Sequence, residues 1–362
     1  MRIVPVEHAS GLFLSEDMYD INGHLLVRKG TQVTSKIITQ LNSSGVFSLY
    51  IDDRYSQNEL HPPISSDLRL QIIREMNLMY EIIRLRHEGG KDVNESYIKH
   101  LPRVLDLADH VHYEIMRTSR QYINFTDIKM RDFYTVSHSV NVAMLALLLS
   151  IDAGVPKDRQ KDLFLGALFH DIGMNYIDER VFMKNGKLDV QEFLKIKEHP
   201  KKGYELFKDF SFANSYMKII VLQHHEKLDG TGYPSQNRDN EIHTLARITA
   251  IADSYDAMTS DRPYSRAVSP QQALQYLDQS SGKHLDPTLT QLFTRKVQPF
   301  PEGALVRLSN ELVALVTTAN RNEPLKPTVQ LIHPDTKALM PMPVDLSRET
   351  ALFIESIQYE LP

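Results

Sequence analysis

The sequence predicts a mainly α protein: a helical core with small β-rich segments at its N- and C-terminal ends. Three observations carry this. Apolar residues recur every three or four positions through the middle of the chain, the period of a half-buried helix. Short apolar runs broken by turn residues occupy both ends. A spaced series of histidines and aspartates, from His138 to Asp253, falls inside the helical part.

In order along the chain, residues 1–62 read as a small β-rich N-terminal domain. Ile3-Val4, Leu12 to Leu14, Leu25 to Val27 and Val46 to Ile51 alternate with turn signals at Asn22-Gly23, Lys29-Gly30 and Ser44-Gly45. Thr34 to Leu41 reads as one short helix. After the break at His61-Pro62-Pro63, residues 63–122 form a helical connector. Leu68, Ile72, Met76, Met79 and Ile83 make one stripe, and Ile98, Leu101, Leu105, Ala108, Val111 and Ile115 make a second beyond Glu88-Gly89-Gly90. Such a pair either packs on the core or serves signalling, with a homodimer through residues 64–120 as the sharper expectation. Residues 123–297 are strongly helical, with stops at Gly154-Val155-Pro156 and Gly230 to Pro234. Residues 298–362 return to β-type runs at Leu305 to Leu308, Leu312 to Val316 and Val329 to Ile332, a small C-terminal appendage.

Composition narrows the function. The 362 residues contain no cysteine, which excludes disulfides, thiolate ligation and a cysteine nucleophile and fits a reducing compartment. A net charge of −5 gives no general attraction for a nucleic acid polymer or an anionic membrane. The N-terminus lacks the order of a signal peptide. The longest apolar run, Val140 to Ile151, is too short to span a bilayer. The expectation is a soluble cytoplasmic protein that draws any anionic substrate with local cations.

Five of the fifteen histidines belong to the spaced series. His138, His170, Asp171 and Asp253 come from three helical stretches that can converge on one ion. His199 and His224-His225 can complete a second, with Asp171 bridging both, since a carboxylate can hold two cations and an imidazole cannot. A lone buried histidine is usually a hydrogen-bonded core residue. Seven metal-type residues on otherwise apolar helices are better read together as ligands. Neutral imidazole and carboxylate suit Fe or Mn, with Ni, Zn or Mg as alternatives. Two such ions supply an activated water and charge neutralisation for phosphoester hydrolysis.

The motifs His170-Asp171-Ile172-Gly173, Glu198-His199-Pro200, His224-His225-Glu226 through Gly232-Tyr233-Pro234, and Ile251 to Thr259 with Asp261-Arg262-Pro263-Tyr264 resemble those of the HD-GYP phosphodiesterases. The resemblance covers roughly half the chain. It implies a helical HD-type catalytic core, two divalent metal ions and hydrolysis of cyclic di-GMP to pGpG or GMP. Catalysis is then assigned to His170, Asp171 and Asp253. Substrate contacts are assigned to Gly232, Tyr233, Asp256, Arg262 and Arg266. A diguanylate cyclase (GGDEF) protein is the implied partner.

Two departures matter. The family commonly reads HDxGK, and Met174 stands at the lysine position, removing an ammonium from the substrate phosphates. Some relatives hold a third metal through a glutamate four residues before the first histidine, and here that position is Tyr134, with Asp132 out of phase. Two metals are therefore expected. Met174 also motivates an alternative, a catalytically weak cyclic-dinucleotide sensor; a further one is an enzyme preferring another cyclic dinucleotide such as cyclic GMP-AMP. His243 and His284 are expected to be structural or surface residues, as are His8, His24, His61 and His333 in the flanking segments.

Overall fold

The computed structural model describes residues 2–20, 24–44, 46, 48–56, 64–87, 93–117, 134–182, 184, 186, 188–208, 210–260, 267–320, 322–349 and 351–360. The chain forms two compact units. One takes in Met1–Pro62 and Thr294–Pro362; the other takes in Pro63–Gln121 and Phe133–Phe293. The two terminal β segments thus fall in one unit, and residues 63–121 fall with the helical residues that follow.

In the β unit, β1 (Arg2–Pro5), β2 (Phe13–Leu14) and β5 (Ser48–Asp52) make an antiparallel sheet in the order β1-β5-β2, while β3 (Met18–Tyr19) pairs with β4 (Leu25–Val27). Helix α1 (Ser35–Ser43) starts after Thr34, whose hydroxyl accepts the Ile37 N–H. A five-stranded antiparallel sheet follows from β6 (Leu305–Leu308), β7 (Val313–Thr318), β8 (Thr328–Ile332), β9 (Leu339–Asp345) and β10 (Ile354–Ile357), in the order β10-β6-β7-β8-β9. The three runs expected there are β6 to β8. Strand β9 escapes pattern reading because it is a largely exposed edge carrying Pro341 and Pro343.

Contacts between the two terminal segments explain why they share a unit. Tyr55 is buried with Leu305, Leu315 and Ile332, and its hydroxyl donates to the Lys337 carbonyl at 3.0 Å. The buried Arg2 guanidinium donates to the Asp53 carboxylate at 2.6 Å and to the Tyr359 carbonyl at 3.1 Å.

The helical unit contains α2 (Ser66–His87), α3 (Val93–Arg117), α4 (Tyr134–Asp152), α5 (Lys157–Leu168), α6 (Glu179–Phe182), α7 (Val190–Ile196), α8 (His199–Lys208), α9 (Ser215–Gln223), α10 (Thr244–Thr259), α11 (Pro270–Ser280) and α12 (Pro287–Lys296). The stripe Leu68, Ile72, Met76, Met79 and Ile83 is buried, as are Ala108, Val111 and Ile115 of the second stripe. Helix α4 packs between α5 and α10 and is buried almost throughout. Its segment Thr135–Asp152 is long and apolar enough to cross a membrane by length and composition alone, and 83% of it is buried inside the protein.

Two glycines set how closely the core elements approach. A Cβ at Gly166 on α5 would lie 2.6 Å from the Ile220 side chain on α9. One at Gly173 would lie 2.0 Å from the His199 carbonyl oxygen. The turn after Asp171 therefore rests directly on the start of α8, which brings His199 alongside Asp171.

Removing one partner of the buried Arg2–Asp53 pair strands a charge away from water. Asp53→Ala should destabilise the protein by about 3 kcal/mol, read as a lower urea unfolding midpoint.

Candidate metal centre

The elements of the helical unit bring all seven expected ligand residues together. His138 comes from α4, His170 and Asp171 from the turn after α5, His199 from the first position of α8, His224 and His225 from the turn after α9, and Asp253 from α10. The ligand atoms of His138, His170 and Asp171 lie within 4.8 Å of one another, and so do those of Asp171, His199, His224 and His225. Asp171 is the member common to both groups. Asp253 faces both as well, with Oδ1 3.1 Å from His138 Nε2 and Oδ2 3.6 Å from His225 Nδ1.

Hydrogen bonding fixes the rings. The Nδ1 atoms of His170, His199 and His224 lie 2.7 Å from the Ala167 carbonyl, 2.7 Å from Ile196 and 2.9 Å from Val221. A carbonyl only accepts, so each Nδ1 carries the proton and each Nε2 presents a lone pair. These lone pairs converge. His199 Nε2 is 3.1 Å from Asp171 Oδ1 and 3.2 Å from His224 Nε2, and His170 Nε2 is fully buried with no hydrogen-bond partner among the described residues. An unpartnered imidazole nitrogen in the interior is costly unless a cation completes it. The donor set, neutral imidazole and carboxylate without thiolate, suits a divalent ion, so the residues present fit a metal.

The electrostatics agree. Burial holds His170 below the ordinary histidine range, and burial with the neighbouring imidazoles holds His224 well below it. Burial also brings His225 down to about 3. These three rings are therefore neutral near neutral pH, the form that binds a metal. Burial alone would raise Asp171, yet the imidazoles of His170, His199 and His138 hold its carboxyl well below the usual range. Asp253 is likewise ionised against burial, chiefly by His138.

His138 is set apart. Burial opposes its protonation, but hydrogen bonds to Asp253 and Asp256 raise it to about 9. Its Nδ1 lies 2.7 Å from Asp256 Oδ2. Asp256, assigned to the substrate by resemblance, is fully buried, and its carboxylate is bonded to His138, to the Asn141 amide at 2.9 Å and to the Ser260 hydroxyl at 3.3 Å. It fixes the ring that presents Nε2 to the site, the usual arrangement behind a histidine ligand. The signal available in the sequence was a pair of matching spacings, His138 with Asn141 and Asp253 with Asp256, each three residues apart on facing helices.

The loop after the histidine pair is built to a tight standard. A Cβ on Gly232 would fall 2.4 Å from the Lys227 backbone nitrogen and 2.6 Å from the His225 carbonyl oxygen. The Tyr233 N–H donates to the same carbonyl at 3.2 Å, and its ring stands 4.7 Å from the His225 ring. Glu226, which the sequence reading passed over, is buried beneath the loop and accepts the Ser235 and Asn237 N–H groups at 2.7 and 3.1 Å. Met174 is half-buried in the turn after Asp171. His243 caps α10 by accepting the Leu245 N–H, and His284 faces Asp229 at 3.4 Å, so both hold structural positions. Arg262, Arg266, Asp132 and the Tyr134 side chain lie outside the described residues.

A helical unit that gathers five imidazoles and two carboxylates around a His-Asp step defines a metal-binding HD-type domain. The family model for the HD domain matches residues 107–289, and the chain belongs to that family. A cyclic di-GMP phosphodiesterase of Pseudomonas aeruginosa is 32% identical over 67% of this chain and 59% of its own length. A cyclic di-GMP phosphodiesterase of Thermotoga maritima is 30% identical over 74% of this chain and 75% of its own. A 3'3'-cGAMP-specific phosphodiesterase of Vibrio cholerae is 34% identical over 55% of this chain and 46% of its own. The chain thus spans less than two thirds of the Pseudomonas and Vibrio proteins.

Because an ion binds the folded site and not the unfolded chain, it stabilises the native state by mass action. Mn2+ in excess should raise the thermal unfolding midpoint of chelator-stripped protein, and Asp171→Asn should remove most of that rise.

Proposed function

We propose that this chain is a metal-dependent phosphodiesterase that hydrolyses cyclic di-GMP to pGpG, and onward to GMP, at a site for two divalent ions. The observation that supports this most is the sharing of Asp171 between two ligand groups. His138, His170 and Asp253 would hold one ion, and His199, His224 and His225 the other, with Asp171 on both. Iron or manganese suits these ligands, with nickel, zinc or magnesium as alternatives. Bound divalent ions would lower the proton affinity of water and neutralise charge on the phosphoryl oxygens. The chain supplies position: the carbonyl-anchored rings hold the ligand set rigid, and ionised Asp171 and Asp253 bring no competing proton.

The substrate side rests on the loop. Tyr233 offers a ring edge-on to His199 and tilted over His225, suited to packing against a purine base. Gly232 keeps the backbone close to the histidine pair. Arg262 and Arg266 are assigned to the phosphates by resemblance. Lys197 contributes an ammonium at the same place: its Nζ lies 5.2 Å from the Tyr233 ring centre and 4.9 Å from that of Phe193, and it pairs with no carboxylate among the described residues. An ammonium there would offer the substrate phosphates a charge that Met174 does not.

The similarity to a cGAMP-specific enzyme supports a second reading, in which cyclic GMP-AMP is the preferred substrate. The cysteine-free composition fits a cytoplasmic location. Contact with a GGDEF protein through the GYP surface follows from family resemblance alone. A homodimer through residues 64–120 would have to use faces other than the buried stripes of α2 and α3.

Metal-loaded protein should linearise cyclic di-GMP and lose that activity in Asp171→Ala; turnover of cyclic GMP-AMP alone would favour the second reading, and turnover of neither would overturn both. Lys197→Met should raise KM for the substrate about tenfold, the loss of one charge-assisted contact, with metal content by mass spectrometry unchanged.

A further inference from the structure

A chain of buried hydrogen bonds leads from α2, outside every motif of the site, to the first histidine ligand. Arg69 on α2 is 9% exposed, and its guanidinium donates to Asn141 Oδ1 at 2.7 Å. The Asn141 amide nitrogen donates to Asp256 Oδ1 at 2.9 Å. Asp256 Oδ2 lies 2.7 Å from His138 Nδ1. Each partner leaves the next no choice. Arginine only donates and an ionised carboxylate only accepts, so the amide oxygen must face Arg69 and its nitrogen must face Asp256. With Asn141 so oriented, Asp256 has a lone pair directed at Nδ1, and the His138 lone pair falls on Nε2, the atom turned towards Asp171 and Asp253.

The charges reinforce the geometry. Asp256 is a fully buried carboxylate, and a buried charge requires a compensating one. When His138 gives its lone pair to an ion it is neutral, and Arg69 is then the cation at the far end of the network. Without Arg69 the amide is free to turn its oxygen towards Asp256, which sets acceptor against acceptor.

We infer that Arg69 is a positioning residue for the metal centre, acting through Asn141 and Asp256 on His138, so that ion affinity depends on where α2 lies. The inference rests on the metal-site reading above. It makes the connector a part of the site, although no motif reaches it.

The test is a double-mutant cycle on chelator-stripped full-length protein, with Mn2+ dissociation constants measured by calorimetry for the wild type, Arg69→Met, Asp256→Asn and the double variant. Each single variant should weaken Mn2+ binding about tenfold, as loss of a partner behind a histidine ligand does. The double variant should be no weaker than Asp256→Asn alone, because both act through one path. Arg69→Lys, which keeps a donor and a charge, should stay within about threefold of wild type, and it carries the test if Arg69→Met does not fold. Wild-type affinity in Arg69→Met, losses that multiply in the double variant, or an Arg69→Lys as weak as Asp256→Asn would each overturn the inference. A wild type that binds no Mn2+ would instead overturn the metal-site reading itself, and the inference with it.

Discussion

The site depends on how the second nitrogen of each ligand ring is occupied. A buried imidazole can donate through one nitrogen and accept through the other, and it can turn to exchange them. Here three rings are tied by Nδ1 to carbonyls at the ends of their own turns, and a fourth is tied to Asp256. The remaining nitrogens have nothing left to do but face one another and Asp171. Helix termini supply this service at no extra cost, because their last carbonyls lack helical partners. That is why His170 and His224 sit immediately beyond helices and not within them.

Under the proposed function, this arrangement also reconciles the acidic chain with an anionic substrate. The overall charge of −5 repels phosphate, and the two carboxylates at the centre add to that repulsion. Only cations bound among them would reverse its sign locally, with Lys197 at the rim. On that proposal, the protein without ions would be a poor receptor for such a substrate.

Much of the site was legible because metal-ligand residue types stand out on apolar helices. The seven residues read as ligands lie together, and Gly173 and Gly232 are explained by close backbone approach. The burial of Asp256 against His138 was not legible, because a carboxylate in a motif carries no sign of which way it points; that depends on how α4 and α10 pack. Arg69 was invisible for a related reason, since a charged residue beside an amphipathic stripe looks like solvent-facing surface. The helical and β character of the segments was legible from periodicity and turns. Their grouping was not, because each terminal run reads as self-sufficient until Tyr55 is seen buried between β6, β7 and β8.

That grouping bears on synthesis. Tyr55 and Lys337, joined by a hydrogen bond, stand 282 residues apart. At about 5–20 residues per second, tens of seconds separate their emergence from a ribosome. The first strands must wait through that interval with one face of their core uncovered, while the whole helical unit is made and can fold. The helical unit can thus be complete before the strands that cover Tyr55 have been made.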